Sequence, residues 1–222
     1  MAIDVETKDC TSLSDGELAD LGDICTDGPA NFDIGLLSKQ REEWVLITLA
    51  HSGGALAGFS FCTLERIGGT PSVLIGLASV TRTPQRQEVL RALMGDQLRR
   101  AVLAFPDEDV LIGTRLIDSA GFEAFTVFTT LHDIVPRPDH KATGEERAWG
   151  RRLAKRFGVD ADYHDREFVA RGEGVAPCIL DYEGAAETDP GVSAFFADID
   201  AARGDCLIAF GWAMAEDLAA LE

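Results

Sequence analysis

Val73-Leu74-Ile75-Gly76-Leu77-Ala78-Ser79-Val80, then Thr81-Arg82-Thr83-Pro84-Gln85-Arg86-Gln87-Glu88, then an amphipathic run from Val89 to Phe105: this stretch decides the fold. A second apolar run, Val110-Leu111-Ile112-Gly113, and then Ser119-Ala120-Gly121-Phe122 complete it. The first run lacks polar alternation, as expected of a strand covered on both faces. The crossover from Val80 to Val110 is long enough for a right-handed parallel connection. The stretch reads as buried strand, turn, helix, parallel strand and short helix. Within the helix Leu90, Met94, Leu98, Val102 and Phe105 recur at three- and four-residue spacing and form the inward stripe, while Gln87, Arg91, Gln97, Arg99 and Arg100 fall mostly on the other faces. Thr83-Pro84 predicts an N-cap followed by proline at the first helical position. Phe105-Pro106-Asp107 stops the helix.

Upstream, Trp44–Leu49 and Leu56–Leu64 read as two strands of a meander, turning at His51-Ser52-Gly53-Gly54 and again at Arg66-Ile67-Gly68-Gly69-Thr70-Pro71. His51 is a loop histidine beside the first turn. Residues 11–40 read as two helical pieces. Ser14 with Glu17 three residues on is a capping-box pattern, Leu18, Leu21 and Ile24 or Cys25 make a stripe, and Asp27-Gly28-Pro29 breaks it. Downstream, Phe125 to Leu131 reads as a strand by its aromatic and β-branched content.

The protein has 222 residues, 46% of them hydrophobic, enough for a sizeable core. No apolar run approaches a membrane span, and the acidic start Met1-Ala2-Ile3-Asp4-Val5-Glu6 lacks a signal-peptide layout, so a cytoplasmic location is expected. Five scattered cysteines, Cys10, Cys25, Cys62, Cys178 and Cys206, form neither a disulfide framework nor a zinc pattern and read as free thiols. The formal net charge is −18, with −7 in residues 1–40, −9 in residues 181–222 and only −2 between. This balance argues against nucleic-acid and anionic-membrane binding. It suits a cationic amine substrate or a basic protein partner.

The organising stretch resembles the central motif of the GNAT superfamily of N-acetyltransferases. The residues that carry the likeness are Val80 at the strand end, Arg91-Ala92-Leu93-Met94 in the helix, Val110 to Gly113 and Gly121-Phe122, in the family's order and at about its spacings. In sequence order it covers Trp44 to Phe128. The resemblance implies an N-terminal strand and two helices before the meander, and an acyl-CoA, acetyl-CoA first among them, held at the strand end and the following loop. By position the cofactor-binding residues are Val80, Arg82, Gln85, Arg86, Gln87 and Leu90. Three departures stand beside the matches. Glu88 and Leu90 occupy the positions of the family's loop glycine and its final Gly/Ala, and Thr83-Pro84 starts the helix early enough to fill the loop. No tyrosine precedes Gly121-Phe122, where Leu116-Ile117-Asp118 stands instead. Val73–Val80 carries no glutamate base. Glu65, at a strand end, and Tyr163 are the substitute candidates for base and acid.

The expected fold class is mixed α/β: a GNAT-like, partly antiparallel sheet with a central βαβ unit in residues 1–135, and an acidic α/β extension in residues 136–222 packing on it. In the extension, Thr143 with Glu146 is a second capping box, with Trp149, Leu153 and Phe157 as its helix's stripe and Gly158 as its C-cap. Arg147, Arg151, Arg152, Lys155 and Arg156 make this the one basic element, suited to an anionic ligand, the phosphates of CoA included, but expected rather to pair with the acidic C-terminal segment. Asp160, Asp162, His164 and Asp165 match no metal-loop spacing and read as a solvated turn, so no metal is expected. Glu167–Ala170 and Cys178–Tyr182 read as short strands, Val192–Ala202 as a helix, Cys206–Trp212 as a strand and Met214–Leu221 as a last helix. This patterned tail packs on the first part, completes the sheet, or contacts a second copy in a homodimer. Two functions are compatible with these residues: transfer of an acyl group from CoA to a small-molecule or peptide amine, or a GNAT-fold module that binds a protein or another ligand without transferase activity.

Overall fold

A computed structural model describes residues 2–26, 32–126, 131–172, 180–181 and 189–219. In chain order the elements are β1 (Ile3–Asp9), α1 (Asp15–Thr26), α2 (Ile34–Glu43), β2 (Leu46–Ser52), β3 (Ala55–Ile67), β4 (Thr70–Val80), α3 (Arg86–Ala104), β5 (Val110–Leu116), α4 (Ser119–Thr126) and β6 (Leu131–Val135). Then come α5 (Gly144–Arg156), β7 (Tyr163–His164), β8 (Val169–Ala170), β9 (Leu180–Asp181), α6 (Pro190–Ala194), β10 (Cys206–Ala213) and α7 (Ala215–Ala219). The fold is GNAT-like: one strand and two helices, a three-strand meander, then the βαβ unit β4–α3–β5, the order that the resemblance implies.

The sheet runs β1-β2-β3-β4-β5-β10-β8-β7, with β6 also paired to β10 and β9 to β4. β4 and β5 are parallel; β1 through β4 are mutually antiparallel, and β10 is antiparallel to β5, β6 and β8. The sheet therefore takes strands from both sides of residue 135. β10 lies against β5 over its full length, from Leu207 opposite Leu116 to Ala213 opposite Val110. Its residues Cys206 to Phe210 are all buried, as an apolar run without alternation requires.

α3 covers one face. Val89, Leu90, Leu93, Met94, Leu98, Ala101 and Val102 are buried on it. Gln97, expected on an outer face, is buried too. Its amide nitrogen donates to Ser60 Oγ at 2.9 Å, so a polar slot in β3 compensates part of the burial, while Oε1 has no hydrogen-bond partner among the described residues. α3 begins at Arg86 rather than at Thr83-Pro84, and Gln85 is its N-cap. Of the strand expected from Phe125 to Leu131, only Leu131 is described as strand, at the start of β6. Phe125 and Thr126 belong to α4, where Phe122 and Phe125 are buried, and residues 127–130 lie outside the described residues. The reading of Val192–Ala202 as one helix is replaced by the short α6, turns, and a 3-10 turn at Ala201–Arg203.

Both capping boxes are present. Glu17 N–H donates to Ser14 Oγ and Ser14 N–H to Glu17 Oε2 at 2.9 Å, and Thr143 and Glu146 exchange the same pair of bonds. α5 buries Trp149 and Leu153; the Trp149 ring meets Trp212 of β10 edge-on, 5.7 Å between centroids. Its cations do not pair with the C-terminal segment among the described residues. Arg156 meets Glu65, Arg151 meets Asp165, and Arg152 lies over Trp149. The segment ahead of β10 is tied to the residues after β8 by Asp205. This fully buried carboxylate accepts from Arg171 at 2.8 Å, from Arg203 at 2.5 Å, and from the N–H groups of Gly172 and Asp200. Cys10, Cys25, Cys62 and Cys206 are buried and outside any disulfide, and burial pushes Cys10 and Cys62 up to about 12. Among the described residues no helix is long and apolar enough to cross a membrane.

Candidate active site at the β4–β5 divergence

β4 and β5 pair only from Ser72 opposite Leu111 to Leu74 opposite Gly113. Thr114 Oγ1 adds one bond to the carbonyl of Ile75 at 3.1 Å. Beyond it β4 runs on to Val80 with one edge turned away from β5. The cause is visible on β4's other side. In the β3–β4 register Cys62 faces Ile75 and Ser60 faces Ala78, so β4 carries an extra residue at Gly76–Leu77. A bulge bends the strand that carries it and raises its twist. Gly76 also lets Trp44 close on the bulge: a Cβ there would lie 2.4 Å from the indole. The indole N–H is in turn fixed by Gln40 Oε1 at 3.0 Å. An isolated glycine inside an apolar strand is the signal in the sequence that marks this bend.

The opened edge leads to the N-terminus of α3. After Val80 the Thr81 N–H still bonds to Ala57, Arg86 N–H donates to Thr83 O at 3.1 Å, and Arg82 Nη1 donates to Val80 O at 2.8 Å. The first i to i−4 bond of the helix is Val89 N–H to Gln85 O. Gln87 and Glu88 N–H therefore lie in the uncapped first turn, and the Gln85 side chain makes no cap bond. A 19-residue helix with an open first turn, flanked by Arg82 and Arg86, provides the field and the donors for an anion.

The residues assigned from the sequence are placed as follows. Val80, Arg82, Gln85, Arg86 and Gln87 are brought together at the strand end and helix start. Leu90 is not: it is buried at 1% exposure on the sheet-facing side of α3. Glu88 is exposed rather than inward. Glu65 pairs with Ser72, eight residues from Val80 along β4 and so roughly 25 Å away. Its Oε1 lies 2.6 Å from Arg156 Nε, an ion pair whose angle falls short of a hydrogen bond. Tyr163, on β7, is four strands from β4. Its hydroxyl is buried with no hydrogen-bond partner among the described residues, and burial pushes its pKa up. His164 is paired with Asp162 and Asp165 with Arg151.

The reading of the sequence did not anticipate what lies on the opened edge. β9 pairs with β4 in parallel, Leu180 opposite Ala78 and Asp181 opposite Ser79. Two residues of the chain itself thus occupy backbone positions adjoining Val80.

No family model matches the sequence, and no curated protein matches it. Solved structures of similar shape include the ribosomal-protein-S18-alanine N-acetyltransferase of Escherichia coli. It is 11% identical, with 95% of each chain covered and a TM-score of 0.48. An acyl-CoA N-acyltransferase from Pseudomonas aeruginosa is 18% identical over 63% of this chain and 93% of its own, with a TM-score of 0.43. Ard1 from Thermoplasma volcanium is 15% identical over 60% of this chain and 86% of its own, also with a TM-score of 0.43. At these identities and scores they are likenesses of shape.

Proposed function

We propose that this chain is a GNAT-like acyltransferase that takes an acyl group from an acyl-CoA, acetyl-CoA in the simplest case, and passes it to an amine. The observation that carries this reading is the bulged end of β4, which diverges from β5 and leads to the uncapped first turn of α3. In this reading the first-turn N–H groups with Arg82 and Arg86 take the pyrophosphate, and the backbone near Val80 holds the thioester oxygen as charge develops on it. The neutral amine attacks the carbonyl carbon, the C–S bond breaks, and the CoA thiolate leaves and takes up the proton that the amine loses. The reading gives no role to Glu65 or Tyr163, which lie away from Val80, and gives Leu90 a packing role. The acceptor is a small-molecule or peptide amine, drawn by the charge of −18. The cytoplasm supplies acyl-CoA and keeps the buried thiols reduced.

The test is isothermal titration with acetyl-CoA, and with free CoA alongside, at low salt. A dissociation constant in the micromolar range, about −8 kcal/mol, supports the reading and calls for a screen of amine acceptors. No heat and no thermal stabilisation at about 1 mM ligand overturns it. A specific observation favours a second reading, a GNAT-fold binding module without transferase activity: β9 takes up β4's edge at Ala78 and Ser79, where the thioester would lie.

A further inference from the structure

Two adjoining cavities lie in the insertion between β6 and β10, away from the β4 edge. The inner one, of about 310 Å³, has an apolar wall of Val135, Pro136, Phe168, Phe195 and Ile199. The outer one, of about 380 Å³, is lined by Lys141, Arg147 and Arg166 with Ala142. Ala142 and Arg166 line both, so the two meet at Arg166. Arg137, His140 and Arg171 also reach the inner cavity, with Glu167 and Asp198 as its carboxylates.

The charges are the anomaly. The protein has 38 acids to 20 bases, yet among the described residues no carboxylate lines the outer cavity. Among the described residues none lies within ion-pair distance of Lys141, Arg147 or Arg166. The remaining cations nearby are engaged: Arg137 with Glu146 and Asp133, His140 with Glu146, Arg171 with Asp205. Glu146 is itself locked in the capping box of α5, which fixes Arg137 and His140 on the wall of the inner cavity. Arg147 Nε donates to the carbonyl of Thr143 at 3.3 Å, and three cations with no carboxylate in ion-pair reach among the described residues repel one another and attract a multivalent anion. The adjoining wall is aromatic and aliphatic, and the inner volume is in the range of a small-molecule site. Phe195 is held on Phe122 of α4 at 5.9 Å and Phe168 on Phe210 of β10 at 6.2 Å, so the core backs the wall.

We propose that these joined cavities bind a phosphate monoester with an apolar body, the phosphate among Lys141, Arg147 and Arg166 and the body against Phe168, Phe195 and Ile199. The Arg166 guanidinium, at the junction, offers paired N–H donors to the phosphate oxygens. The site is independent of the acyl-CoA reading, and it adds a second ligand to the molecule.

The probe is phenyl phosphate, titrated calorimetrically into the full chain at low salt, with inorganic phosphate and phenol as its two halves. Phenyl phosphate is expected to bind saturably, one per chain, and each half at least about tenfold more weakly. Arg166→Ala is expected to weaken phenyl phosphate by about tenfold or more. Arg166 is exposed, so this variant keeps the wild-type circular dichroism. Ile199→Asp, which sets a carboxylate in the inner cavity, is expected to weaken it similarly. Three results overturn the proposal. One is absence of saturable heat at about 1 mM phenyl phosphate. Another is equal affinity for inorganic phosphate, which leaves the inner cavity unused. The third is unchanged affinity in Arg166→Ala, which places the phosphate elsewhere, for instance at the first turn of α3.

Discussion

Tyr163 shows how a residue's surroundings fix its role. Its buried hydroxyl lacks a partner among the described residues, which costs about 1–3 kcal/mol in comparable sites, whereas a phenylalanine leaves nothing unsatisfied. Tyr163→Phe is therefore expected to leave stability unchanged or raise it by about 1 kcal/mol in urea melts, and to leave acetyl-CoA binding untouched. Asp205 is the opposite case, a buried carboxylate with every neighbour a donor. Arg203 chiefly, then Arg171 and two backbone N–H groups, hold its pKa below the usual carboxylate range. Its stabilising contribution is thus complete above the unfolded-state value near pH 4 and is lost as pH falls below it. Asp205→Asn should lower the urea midpoint at pH 7 by about 2 kcal/mol equivalent and flatten the acid side of the stability profile. Local polar patterns of this kind were partly legible in the sequence. Ser14 with Glu17 and Thr143 with Glu146 could be read because each cap closes within one turn. Asp205 could not, because Arg171 meets it only through the tertiary fold.

At the level of elements, strands and helices followed from apolar runs and periodicity, and β4, α3, β5 and β10 lie where those patterns put them. The start of α3 did not. Thr83-Pro84 is a sound local start signal, yet the chain must first leave β3, where Thr81 still pairs with Ala57, and turn, so the helix begins at Arg86. The candidate site was legible as a region, Val80 to Gln87, and its shape was not. The shape comes from the bulge at Gly76–Leu77, which a sequence marks only by one glycine, and from β9, whose pairing spans a hundred residues of chain. β9 also yields a prediction. Replacing both Leu180 and Asp181 with proline removes both of its backbone donors, which weakens its hold on β4. Acetyl-CoA is then expected to bind about tenfold more tightly by calorimetry if it takes the same edge. Unchanged affinity would mean that the thioester and β9 do not compete, and would count against the placement near Val80.

For the molecule as a whole, the decisive fact is that β10 separates β5 from β6 and β8. Residues 1–135 contain most of a GNAT-like sheet but leave β5 with an unpaired, apolar edge. A chain ending at Val135 is expected to lack cooperative unfolding and to aggregate, measured by denaturant melts and light scattering. Composition and charge could not reveal this, because nothing in the apolar run Cys206–Trp212 says which strand it will join. The late position of β10 also has a consequence in time. β5 ends at Leu116 and its partner starts at Cys206, so on a ribosome working at roughly 5–20 residues per second the sheet waits about five to twenty seconds for its central strand. During that interval the nascent chain carries an open edge that invites other nascent chains. Long-range pairing of this kind folds slowly even from the complete chain. Yield in cells should therefore depend on chaperone capacity and on temperature during synthesis more than on the stability of the finished fold.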